Sequence, residues 1–304
     1  MKYYSTKARQ AGMTLIELTV VLLVLIGLAG LMIPYVAGFV GKTHDATGDS
    51  NIARLNSTIQ RFQTTSMKFQ DNLQTLADSS GTLYSKLMNT NTSVYGTVAL
   101  SGGSIRGASL RGAGITSIMS LGNGSPSATF NAAGFPVSIA MGASSTINVA
   151  TVGLGAENKV GTDDYASIEA HLGDAFGAHP SKFNATCNDY VILGIGQENE
   201  MVGRAMSDAP VHFAQNGNMG PDHKYNRFVA VFEVDKANGT PAALTTNSQP
   251  VDALGNNITA PNMDCGTRTH KAKFIGTAML MMPPHLWGLA HSLGHTYNNI
   301  ANGN

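Results

Sequence analysis

Residues 12–40 read GMTLIELTVVLLVLIGLAGLMIPYVAGFV, and between Met13 and Val40 the only side chain charged at neutral pH is Glu17. As a helix rising 1.5 Å per residue, 28 residues measure about 42 Å, more than the roughly 30 Å hydrocarbon core of a bilayer requires. The preceding stretch, MKYYSTKARQAG at 1–12, is polar and carries Lys2, Lys7 and Arg9 without an acid. By the positive-inside rule these cations stay in the cytoplasm and the bulk of the chain lies outside.

Three readings of this run compete. A secretory signal peptide has a shorter apolar core of about 7 to 15 residues and a small-residue cleavage site, which this run exceeds. A plain transmembrane anchor fits the length but leaves Glu17 unexplained, since an ionisable group within the span costs about 2.5 to 3.5 kcal/mol or more. The bland account of Glu17 is a carboxylate that snorkels to the headgroups from near one end of the span.

The third reading is a resemblance. Gly12-Met13-Thr14-Leu15-Ile16-Glu17 resembles the prepilin peptidase site of type IV pilins and type II secretion pseudopilins: basic residues, a Gly before the cut, a long apolar helix after it, and a Glu fifth in the mature chain. Pro34 stands where many members carry a helix-loosening proline, and Met13 departs from the commoner Phe. The likeness covers roughly the first 55 residues. It implies cleavage after Gly12, N-methylation of Met13, and pairing of Glu17 with the Met13 amine of a neighbouring subunit as helices pack into a filament. It also implies an α+β, pilin-like fold, in which a long N-terminal helix packs on an antiparallel β-sheet head. The implied partners are other pilin or pseudopilin subunits, the prepilin peptidase and an inner-membrane assembly platform. The protein would sit in the bacterial inner membrane with its head in the periplasm, then in a periplasmic or cell-surface filament.

The resulting division is a leader at 1–12, a membrane and filament-core helix at 13–40, an amphipathic half-helix at 41–80, a Gly/Ser/Ala-rich insertion at 81–161 and a β-sheet head at 162–304. In the half-helix, Ile52, Leu55, Ile59, Phe62, Phe69, Leu73 and Leu76 are spaced three and four apart, with Ser66 at the missing step. That spacing predicts one apolar stripe, ending at Asp78-Ser79-Ser80-Gly81. In the insertion, short apolar groups at Val94–Leu100, Ile115–Leu121, Val137–Met141 and Ile147–Leu154 predict strands between Gly-rich turns. A helix is expected at Asp163–Phe176, and strands at Asp189–Ile195, Arg227–Val234 and Lys273–Met282.

Composition narrows the function classes. Lys plus Arg and Asp plus Glu both number 19 in 304 residues, so no basic surplus favours a nucleic-acid partner. Two cysteines, Cys187 and Cys265, suit one bridge in an exported protein, closing a loop of nearly eighty residues and contributing about 4 to 5 kcal/mol. Two reduced thiols are the alternative.

No catalytic constellation emerges: GxSxG, P-loop and dinucleotide fingerprints are absent. His285, His291 and His295 lie in HLWGLAHSLGHTY, where His291 and His295 can share a helix face as metal ligands. Gly294 weakens that helix, and a surface pair or packing against Trp287 is the favoured reading. Asp163-Asp164 with Glu169, or Asp222 beside His223, are weak calcium candidates without an EF-hand pattern, so no cofactor is expected. The expectation is a structural subunit, a minor pilin or pseudopilin, and not an enzyme. A filament-borne adhesin or DNA-uptake subunit, and a membrane-anchored metal-binding protein, are the alternatives.

Overall fold

A computed structural model describes residues 14–78, 80–83, 95–101, 104–120, 137–141, 146–153, 156–157, 163–165, 167–213, 225–236, 271–281 and 285–291. The leader, with Gly12 and Met13, and also Cys265, Asp222, His223 and His295 lie outside the described residues. Contacts divide the chain into two units, Met1–Thr47 and Gly48–Asn304.

Helix α1 (Leu15–Ser66) belongs to both. Its start follows from local chemistry: the Glu17 amide donates to Thr14 Oγ1 at 3.3 Å, and the Thr14 amide donates to Glu17 Oε2 at 2.8 Å. This reciprocal arrangement is a capping box, satisfying two amides that a helix start leaves without partners. The backbone stays helical through Pro34, Gly41 and Gly48, so neither the proline expected to loosen the helix nor the two glycines interrupt it.

Within the second unit, Ile52, Leu55, Ile59 and Phe62 form the buried stripe. The helix stops at Ser66, twelve residues before the expected Asp78. Met67 takes the left-handed conformation, φ 55°, with its side chain 89% exposed. Phe69, Leu73 and Leu76 are buried as expected, but they reach the core from an irregular segment and strand β1 (Leu73–Gln74), with Asn72 and Leu76 also at positive φ. A left-handed residue just past a helix end is normally glycine, because a Cβ there costs about 1 to 2 kcal/mol. Met67→Gly is therefore expected to raise stability by about 1 kcal/mol in urea unfolding of the detergent-solubilised chain. No buried contact is lost with that side chain.

The remaining elements are β2 (Tyr95–Ser101), α2 (Ile105–Gly112), β3 (Ser117–Ser120), β4 (Val137–Ala140), β5 (Thr146–Val152), β6 (Ala156–Glu157), β7 (Asp163–Asp164), α3 (Ile168–Phe176), β8 (Asn188–Gly194), β9 (Val211–Phe213), β10 (Tyr225–Asp235), β11 (Lys273–Met281) and β12 (His285–Trp287). Ten strands form one sheet: seven follow the path β12-β11-β10-β8-β1-β3-β4, and β5, β2 and β9 lie off it, with β9 paired to β10. Strand β8 is the branch point: Gln74 of β1 pairs with Gly194 near one end, while Ala150 and Thr151 of β5 pair with Ile192 and Val191 farther back. Strand β5 then carries β2.

The sheet was expected to be antiparallel and is mixed, because β1 and β3 run parallel. The Gly/Ser-rich stretch at 81–161 contributes strands β2 to β5 to this same sheet. Side chains alternate along β8 and β10 between two cores. Val191, Leu193, Phe228, Ala230 and Phe232 pack with Ile52, Leu55, Ile59 and Phe62 of α1. Tyr190, Ile192, Val229 and Val231 pack with Leu172 and Ala175 of α3 on the opposite face. Burial on both faces explains why DYVILGI reads as a continuous apolar run rather than an alternating one.

Helix α3 is shorter than expected. Ser167 caps it by accepting from the Ala170 amide, Gly177 closes it at φ 64°, and Asp163–Asp164 forms strand β7 against β6.

Candidate functional site

The functional surface indicated by the sequence is the head of α1. Leu15–Met32 is long and apolar enough to cross a membrane, and none of it is buried inside the chain. At its start, Thr14 and Glu17 are exposed and bonded to each other. The capping box explains Glu17 locally without a second molecule. It does not remove the cost of placing a carboxylate at the edge of a lipid phase, since the side chain remains exposed to whatever surrounds the helix. The chemistry available is thus an apolar helical surface with one acidic oxygen pair at its head. Thr14 was missed as a functional partner, although the T-x-x-E spacing of a capping box is legible in the sequence.

Cys187, just before β8, is disulfide-bonded, while the chain's other cysteine, Cys265, lies outside the described residues. Asn56 and Asn184, each the first residue of an Asn-x-Thr triplet, have structural roles. Asn56 Oδ1 accepts from the Thr277 amide of β11 at 2.8 Å, and Asn184 Oδ1 accepts from the amides of Thr186 and Cys187.

The histidine and acid candidates do not converge. His285 contributes its backbone to β12, opposite Met281, and His295 is outside the described residues. His291 is 3% exposed and its Nδ1 meets the Asp174 carboxylate, which also accepts from the Tyr165 hydroxyl at 2.6 Å. Glu169 accepts from the Ala185 amide at 2.9 Å. Among the described residues no group of three His, Cys, Asp or Glu side chains is placed to hold a metal ion.

Two polar clusters had no sequence signal. The first joins Lys68, Asp71, Glu200 and Arg204: the Lys68 ammonium donates to Glu200 at 2.8 Å and Asp71 at 3.1 Å, and Arg204 donates to Glu200 at 2.8 Å. Burial works against the Asp71 charge, but the amides of Thr116 and Ser117, Lys68 and the Thr116 hydroxyl outweigh it and hold the carboxyl below its ordinary range. Glu200, foremost, holds Lys68 above its ordinary range. The cluster ties the end of α1 to the start of β3 and to the loop after β8, a structural task.

The second is His171 of α3, fully buried. Its ring stacks on Tyr165 with centroids 4.7 Å apart. Nδ1 lies 2.8 Å from the Gly153 carbonyl, and Nε2 accepts from the Leu286 amide at 2.9 Å. Desolvation drives its pKa down to about 4.

Searches against protein-family models, curated proteins and solved structures return no match to this chain.

Proposed function

We propose that the chain is a structural subunit of a type IV pilin-like filament, made with a cytoplasmic leader, held in the inner membrane by α1 and assembled through Met13–Val40 with its head outward. The observation that carries this reading is the head of α1: an apolar helical surface with no cover inside the chain, led by Gly12-Met13 and by an acid whose position in the span has a cost. Lateral packing of such helices would cover the apolar surface, and a neighbour's amine would neutralise Glu17. The branched sheet backed by α1 supports the reading only as a mixed α+β head. The proposed role is assembly rather than catalysis, and the partners are further subunits of this class, the prepilin peptidase and the assembly platform.

The test is N-terminal sequencing with intact-mass measurement of the protein from its own cells, with and without the prepilin peptidase. The expected chain begins at N-methylated Met13 and reverts to the uncut form when the peptidase is absent. A mature chain still carrying the leader in peptidase-positive cells would reduce α1 to a plain anchor. A chain starting beyond Val40 would make the protein a secreted one.

A further inference from the structure

Strand β12 ends the sheet, and it is held to α3 by the buried Leu286 side chain, which packs in one core with Leu172 and Ala175, and by a small set of close backbone and polar contacts. The Leu286 amide donates to His171 Nε2. Gly288 runs so close to α3 that a Cβ there would lie 1.9 Å from the Ala175 carbonyl oxygen, and a Cβ on Gly177 would lie 2.9 Å from the Ala290 methyl. His291 then meets Asp174. Residues 285–291 thus form a strap running from the edge of the sheet across the end of α3.

The tautomer of His171 is fixed by its partners. The Gly153 carbonyl only accepts, so Nδ1 carries the hydrogen and Nε2 presents a lone pair to Leu286. We propose that His171 is a proton-operated clasp on the strap: a second proton, on Nε2, would set two donors against each other at the Leu286 amide and release β12 from α3 and from the edge of β11. No rotation of the ring rescues the contact, because Nδ1 is already held by Gly153.

The other groups around the ring set the direction of the response. Among the described residues these are Tyr165, stacked on its face, Asp174 one turn along α3, and His291 from the strap itself. Asp174 favours a charged His171 and His291 opposes it, and both are outweighed by burial. At the far end of the strap, His291 is paired with Asp174. Acid therefore loosens the Leu286 end while the His291 end holds, and the strap swings from that end. Release leaves β11 with an open edge, a surface able to accept another strand. This inference stands on the head alone and does not depend on the filament reading.

Hydrogen–deuterium exchange of the detergent-solubilised full chain, corrected for the pH dependence of intrinsic exchange, tests it. Between pH 6.5 and 4, protection of 285–291 is expected to fall by up to about tenfold per pH unit and to stay below that of β10 at every pH, because the strap opens without the sheet unfolding. His171→Gln, which keeps an acceptor and cannot titrate in this range, is expected to make strap protection independent of pH there. Flat wild-type protection, strap protection equal to that of β10 at every pH, or the same fall in His171→Gln would overturn the proposal. Should that variant fail to fold, imidazole ¹⁵N NMR of the wild-type chain decides. Nε2 is expected to be an unprotonated acceptor at pH 7 and to gain its proton in step with strap opening; an Nε2–H tautomer at pH 7 would overturn the clasp.

Discussion

Glu17→Gln is expected to leave the protein in the membrane while reducing its incorporation into filaments by about a hundredfold or more, as severely as Glu17→Ala does. The two substitutions separate the roles that Glu17 can have. Glutamine still reaches back to the Thr14 amide, since either Glu or Gln serves the third position of a capping box. Alanine removes both the cap and the charge. Losing a cap costs about 1 kcal/mol, whereas removing one member of a buried charge pair costs about 3 to 5 kcal/mol and leaves the other charge stranded. If Glu17 pairs with a neighbour's amine, the charge dominates and the two variants fail alike. If Glu17 only starts the helix, Glu17→Gln behaves as wild type, and the proposed assembly mechanism is lost. Filament content scored by shearing and immunoblot, normalised to membrane-inserted subunit, reads the difference. Thr14→Ala marks the scale of the cap alone, because it removes the hydroxyl that accepts from the Glu17 amide.

The strands that sequence reading locates best are those with dense apolar and β-branched runs. DYVILGI, RFVAVFEV and the stretch from Lys273 appear as β8, β10 and β11 within two residues at each end. The four strands expected between 94 and 154 are also present as β2 to β5. What failed was the extent of α1. Phe69, Leu73 and Leu76 keep helical spacing, and periodicity does not register that Met67 turns left-handed and that the later residues reach the core from irregular chain. The partners of the strands in 81–161 were not legible for a related reason: the pairing of β5 with β8 and of β1 with β3 joins residues 40 or more positions apart, which no local pattern encodes. The site divides along the same line. Thr14 and Glu17 are three residues apart and their spacing is readable, whereas the role of His171 comes from Gly153 and Leu286, brought to it only by the fold.

That long-range placement makes His171 the largest expected source of acid sensitivity among the described residues of the head. Its ordinary pKa near 6.5 holds in the unfolded chain, and burial lowers the folded value to about 4. Between these limits the unfolded state binds more protons than the folded one, so stability rises with pH across that window. The contribution is fully present above pH 6.5. It is lost as pH falls toward 4, where the folded state begins to accept the same proton. The loss amounts to about 3 kcal/mol, a large share of the roughly 5 to 15 kcal/mol that holds a typical domain together. His171→Phe keeps a ring against Tyr165 but cannot titrate. It starts less stable, because the Gly153 carbonyl and the Leu286 amide lose their partner at about 1 to 3 kcal/mol each, yet its stability declines less steeply with acid. Urea unfolding of both proteins from pH 7.5 to 4 is expected to give curves that converge by about 3 kcal/mol. Parallel curves would show that His171 is not the titrating group, and would move the acid response to the carboxylates, of which Asp71 is held below its ordinary range. A lowered carboxyl loses its stabilising effect only as pH falls through that depressed value, so the acid-side position of the remaining slope distinguishes the two sources.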